Sequence, residues 1–313
     1  NNVFVPQAGV GQKVLSGLEG KINDLSGIVV EQGTEKLELV NKGGIWQVKK
    51  TGYPVSPAKV KQALVGLAEM TNLEAKTGNP KKFLLIDVDS PGQKDGRGRL
   101  FTLLGKDGKQ VGRIVLGKTA VGKAGPGRDA EYVRVPGEAS SWLVLGSVDA
   151  GTALPNWVEP RFLKLDVDSV TYGRVEFDGG KVEVRRTGKS ATGSSQFELI
   201  DVPEGRKPRT STTIKFTATD LVNLDLVDVR PLKADGKTTS TAYVETDSGL
   251  KLAFRLVEEY GKGWVSIKVV DKGKNVKAAD AIIAKTKGWE FLIADYKKAA
   301  FKRRKEDLLE KPQ

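Results

Sequence analysis

Cysteine and histidine are both absent from the 313 residues. Without Cys, the chain can form no disulfide, no thiolate nucleophile, no iron–sulfur cluster and no Cys-ligated zinc site. Without His, it lacks the commonest general base, the usual triad partner of a nucleophilic Ser, and the commonest transition-metal ligand. Carboxylate, Lys and Tyr chemistry stays open, but the balance shifts from catalysis toward binding. Long hydrophobic runs are also absent: no window approaches the roughly 18 uncharged apolar residues of a membrane-spanning helix. The chain starts at Asn1 rather than Met. The expectation is a trimmed or processed product, with residues 1–20 as a Gly-rich entry segment and any signal peptide or anchor removed.

Charge is plentiful. The 51 Lys and Arg outnumber the 39 Asp and Glu, for a formal net charge of +12. That balance points to anionic partners, or simply to a well-solvated surface. No helix-turn-helix, zinc-finger or RNA-recognition signature is legible, and the bases are not interleaved with aromatics, so no specific nucleic acid is expected. The densest run is Lys302-Arg303-Arg304-Lys305.

Length alone suggests two domains. Strand patterns run through residues 26–31, 36–40 and 45–48, with Lys42-Gly43-Gly44 supplying a tight turn. A helix follows: Ser56 caps it, Pro57 starts it, and Val60, Ala63, Leu64 and Leu67 make its apolar stripe. Strands return at 99–104, 111–116, 131–134 and 142–145, with a Gly-rich loop over 117–127. The second half repeats the order, with a hairpin over 170–186, a strand at 197–200, a helix over 217–224 capped by Thr217, and strands at 242–245, 250–258 and 264–270. Helices are expected over 278–285 and 296–309, with an extended piece at 288–292. The predicted fold is therefore α+β: two tandem related domains, each a mostly antiparallel sheet with a helix on one face, plus C-terminal helices. The boundaries are residues 21–160 for the first repeat, and 161–313 for the second repeat with its helical extension.

Candidate sites are few. The stretch from Asp87 to Gly98 has the acidic spacing of a calcium loop, but Pro91 and Gly98 stand where ligands are needed. Asp166 and Asp168 share one face of an extended segment and could serve acid–base work, against the plainer reading of a solvated edge. Gly122–Gly127 leads toward a strand and lacks the Gly-Lys-Ser/Thr ending of a phosphate loop. Catalytic, cofactor and metal residues are accordingly expected to be none. Candidate partner-contact residues are Trp142, Trp157, Lys302, Arg303, Arg304 and Lys305. The alternative for the tryptophans is core packing. For the basic run the alternatives are an anionic membrane surface or a docked helix with its charged side in water.

An ordered set of short stretches carries a resemblance. It comprises Lys21–Asp24, Trp46–Val48, Gly52–Pro54, Val60–Leu67, Glu74–Thr77, Val111–Gly117, Tyr132–Arg134, Ser141–Leu143 and Asn156-Trp157, and at the far end Gly288-Trp289, Asp295–Lys297 and Asp307–Leu309. The set resembles a bacterial domain-of-unknown-function family whose members accompany ABC transporters of the gliding-motility, ABC-2 type. The resemblance implies a periplasmic or otherwise extracytoplasmic body anchored by one N-terminal membrane helix. It implies membrane components of the transporter as partners, and no cofactor. Three functions are weighed: a non-enzymatic accessory or scaffold subunit of an envelope transport system, a binding module for an anionic envelope polymer or lipid head group, and, remotely, a carboxylate-based hydrolase.

Overall fold

The computed structural model describes residues 9–92 and 94–311; residues 1–8 of the lead-in, and Gln93 within the acidic loop, lie outside the described residues. The chain divides into two compact units, Asn1–Glu159 and Pro160–Gln313.

In the first unit, β1 (Leu25–Gln32), β2 (Glu35–Lys42) and β3 (Ile45–Val48) form a meander. Gly43 and Gly44, at φ +62° and +89°, make the turn between β2 and β3, and the Asn41 side chain accepts from the Gly44 amide at 2.9 Å. Only residues tolerant of positive φ close a two-residue hairpin of this hand. Helix α1 (Pro57–Glu69) begins as its residues dictate, with the Ser56 hydroxyl accepting from the Lys59 amide. It buries Val60, Ala63, Leu64, Leu67 and Ala68. Strands β4 (Thr71–Ala75), β5 (Arg99–Gly105), β6 (Gln110–Thr119), β7 (Ala130–Arg134) and β8 (Trp142–Leu145) complete an antiparallel sheet of order β3-β2-β1-β5-β6-β7-β8-β4. Strand β6 runs to Thr119, so the Gly-rich loop starts three residues later than expected.

The second unit opens with β9 (Arg161–Lys164), then β10 (Val170–Phe177), β11 (Gly180–Lys189), β12 (Ser195–Leu199) and α2 (Ser211–Thr219). Short strands β13 (Asn223–Asp225) and β14 (Asp228–Pro231) lead to β15 (Ser240–Thr246), β16 (Leu250–Glu259), β17 (Lys262–Lys272), α3 (Val276–Thr286) and β18 (Trp289–Ile293). The sheet order is β12-β11-β10-β15-β16-β17-β18-β14, while β13 pairs with β9 alone. Strand for strand this is the order of the first sheet. Both sheets also carry a bulge at the start of the third strand in that order, between Leu25 and Gly27 in β1 and between Val170 and Tyr172 in β10.

Three local expectations are corrected. The helix expected over 217–224 lies earlier, at Ser211–Thr219, capped by Thr210, and Thr217 sits buried inside it. Ile214, Thr217 and Ala218 make the buried stripe; the more hydrophobic Leu221, Val222 and Leu224 are buried by the chain after the helix. The helix expected over 296–309 is broken into a 3₁₀ turn at Asp295–Lys297 leading into α4 (Lys298–Phe301), and a second 3₁₀ turn at Lys305–Leu308. Phe301 buries against Phe254, after which the chain extends at Arg304. Backbone bonds that a helix would close on itself go instead to residues 207–209: Arg209 donates to the Leu308 carbonyl and Glu310 to that of Lys207, both at 2.8 Å. Asp166 and Asp168 do not share a strand face either. Asp166 caps the 3₁₀ turn Val167–Ser169, accepting from the Asp168 amide, because a short acidic side chain before a turn satisfies a free N–H. Among the described residues no helix is long and apolar enough to cross a membrane.

Candidate functional site

Trp157 is fully buried in the first unit, its indole N–H donating to the Gly151 carbonyl at 2.8 Å and its ring lying 6.4 Å from Phe101. It packs the core and offers no surface to a partner. Trp142 is half-buried at the start of β8, its ring against Gly9. The basic run lies in the second unit and is taken up locally. Lys302 pairs with Glu258, Arg303 with Asp220 at 3.4 Å and Arg304 with Asp178 at 2.7 Å, while Lys305 donates to the Asp201 carbonyl. Lys302 and Arg304 also flank the Phe177 ring. Each charge of the run thus has an intramolecular partner. The Asp168 carboxylate accepts from Lys215 and Ser195, both at 3.1 Å. Among the described residues no three acidic side chains gather as a metal site requires.

The structure brings other residues together. A groove of about 760 Å³ lies over the second sheet, within the range of small-molecule sites. Its bed follows from strand alternation. On β15 and β16, Ala242, Val244, Leu252, Phe254 and Leu256 are buried, so Thr241, Tyr243, Ala253 and Arg255 project from the other face. Register sets them in two rows: Arg174–Tyr243–Ala253–Lys268, and Thr241–Arg255–Ser266. The small side chains Ala253, inside the first row, and Ser266, at the end of the second, hollow the bed. The turn from α3 into β18, Lys287-Gly288-Trp289, contributes to the lining with Ile283 and Leu232, and the Leu232 amide bonds to the Gly288 carbonyl at 2.9 Å.

Four cations line this groove (Arg174, Arg255, Lys268 and Lys287), and no Asp or Glu is among the lining residues. Arg174 lies over the Tyr243 ring at 5.4 Å and pairs with Glu176. Arg255 is held from behind by Glu290, a fully buried carboxylate on β18, at 3.0 Å. Arg230 grips the other oxygen of Glu290 at 2.8 Å, stacks on Trp264 at 4.1 Å and continues to Glu259. A charge fixed by such a chain keeps its direction without further ordering. The Lys268 and Lys287 ammonium groups make no ion pair or hydrogen bond among the described residues. Burial, helped by a hydrogen bond to Glu245, pushes the Tyr243 hydroxyl up to about 12, so it stays neutral across the physiological range. An apolar bed with cations around it accommodates a ligand that is part hydrocarbon and part anion.

None of the groove's cations is distinguishable in the sequence from ordinary solvent-face positions of alternating strands. The one available signal was the pairing of small Ala253 with bulky Tyr243, which needs the register to be read.

The chain belongs to the DUF4340 family, described as a domain of unknown function, which it matches over residues 46–247. The match begins in β3 and ends in the turn after β15, so the family pattern spans both units. No curated protein matches the chain, and no solved structure does.

Proposed function

We propose that this chain is a non-enzymatic binding module whose second unit takes an anionic, partly apolar ligand in the groove over β15–β17. One observation carries the reading: four cations, two with unpartnered ammonium groups, line an apolar trough from which carboxylates are absent. The anion would meet Lys268, Lys287 and Arg255, and the hydrocarbon would lie on Ala253, Leu232, Ile283 and Trp289. The lack of His and Cys supports binding over bond-making.

The same proposal sets the module outside the cytoplasm beside an ABC-2-type transporter, as an accessory subunit. What supports this setting is the ordered set of family-like stretches from Lys21 to Leu309; crosslinking in cells that recovers no permease would count against it. We also read the two units as an internal duplication, supported by their shared strand order and shared bulge.

The groove is tested by titrating the full chain with decyl phosphate below its micellar concentration, with decanol and inorganic phosphate as separate arms. Decyl phosphate should bind more tightly than either, and Lys268→Ala with Lys287→Ala should weaken it by about tenfold. Equal affinity for decanol, or an unaffected double variant, would sink the reading.

A further inference from the structure

A second surface, in the first unit, points to a different partner. The 3₁₀ turn Pro80–Leu85 carries the sequence Pro-Lys-Lys-Phe-Leu-Leu. Its capping is firm: the Asn79 side chain accepts from the Lys81 amide at 3.0 Å. Upstream, Thr77 and the fully buried Ser141 exchange three hydrogen bonds of 2.7–3.1 Å. The turn sorts its apolar side chains by direction. Phe83 and Ile86 pack inward on Val88, Leu100 and Val115, and the Arg134 guanidinium covers the Phe83 ring at 4.7 Å. Leu84 and Leu85 are left outside, 52% and 68% exposed.

A neighbouring loop adds to this tip. The Lys118 amide donates to the Ile86 carbonyl at 3.1 Å and its ammonium to the Leu85 carbonyl at 2.9 Å, joining the end of β6 to the turn. Three residues on, Val121 stands 93% exposed on a loop closed by the Ala120 amide bonding to the Ala130 carbonyl. Lys81, Lys82, Lys118, Lys123 and Arg128 are exposed around these apolar residues. Within residues 80–88 and 118–129 the acidic groups are Asp87, mostly buried and 3.9 Å from Lys118, and the exposed Asp129.

Single exposed apolar residues are ordinary; adjacent leucines held outward on a pinned turn and ringed by lysines are not. Hydrocarbon at the tip with cations at its base matches a lipid interface, where apolar side chains enter the acyl boundary while ammonium groups meet anionic head groups. We infer that this tip docks the first unit on an anionic bilayer surface, inserting Leu84 and Leu85. The inference does not depend on the groove of the second unit.

Co-sedimentation of the full chain with phosphatidylcholine vesicles, with and without phosphatidylglycerol, tests it. The chain should partition onto the anionic vesicles and release as salt is raised. Leu84→Ser with Leu85→Ser should lower partition by about tenfold, and Lys81→Gln should lower it by about fivefold. Since both leucines are exposed, unchanged circular dichroism and thermal midpoint would certify the variants. Partition that survives the loss of both leucines, no preference for the anionic vesicles, or a tip that binds a protein in place of lipid would each overturn the inference.

Discussion

Gly173 of β10 offers a sharp test of how the second unit is packed. Helix α2 rests directly on the strand at this point: a Cβ on Gly173 would lie 2.4 Å from the Ala218 Cβ and 2.8 Å from its Cα. Carbon atoms settle about 3.5–4.0 Å apart, so Gly173→Ala forces α2 back by roughly 1 Å or bends β10. Neither is free to move. Gly173 pairs with Val184 on one side and Val244 on the other. Helix α2 is tied to β12 by the Ser211 hydroxyl, which accepts from the Phe197 amide at 2.6 Å, and to the Asp166 turn by Lys215. Overpacking of this kind costs about 1–3 kcal/mol, and the conformational gain of Ala over Gly offsets about 0.5–1 kcal/mol. A net loss near 1–2 kcal/mol should lower the urea midpoint of the second unit by about 0.5–1 M. Amide exchange in α2 and β10 should quicken with it. Adding Ala218→Gly should restore part of the loss, because the clash is with that side chain. A midpoint unchanged or raised in Gly173→Ala would refute the packing argument.

Two further outcomes concern the first unit. Trp157→Phe should cost about 2 kcal/mol in chemical denaturation, because the buried Gly151 carbonyl loses its donor; Trp142→Phe, at a half-buried site, should cost less than about 1 kcal/mol. Burial pushes Glu131 up to about 7, against the Arg99 guanidinium and the Val148 amide that hold it. A carboxyl that is more basic folded than unfolded contributes stability that is full below pH 4.5 and fades as pH rises through 7. The fade is on the order of 3 kcal/mol. Glu131→Gln should therefore flatten the difference between urea midpoints at pH 5 and pH 8; a variant with the wild-type difference would dispose of this account.

Several edges of regular elements were legible from a single local rule. Ser56-Pro57 before an apolar stripe, Gly43-Gly44 between strands, and the alternation of residues 242–258 each determine their structure from within a few residues, and each appears where expected. Errors fell where distant groups competed. The stretch from Tyr296 to Leu309 has helical composition, but its last residues hydrogen-bond to 207–209, a choice made a hundred residues away. The acidic pair Asp166 and Asp168 was visible as a pair, but its role in capping and in holding Lys215 depends on where α2 lands.

By itself the sequence determined which side-chain chemistries are missing from it and the mixed, mostly antiparallel α+β character of the fold, because composition and periodicity are local properties. Only the tertiary structure decided which charges are satisfied and which face outward. The conspicuous run Lys302–Lys305 is absorbed by intramolecular partners, while scattered Arg174, Arg255, Lys268 and Lys287 converge on one groove. Strand register brings them together, and register is a relation between segments that no single segment contains.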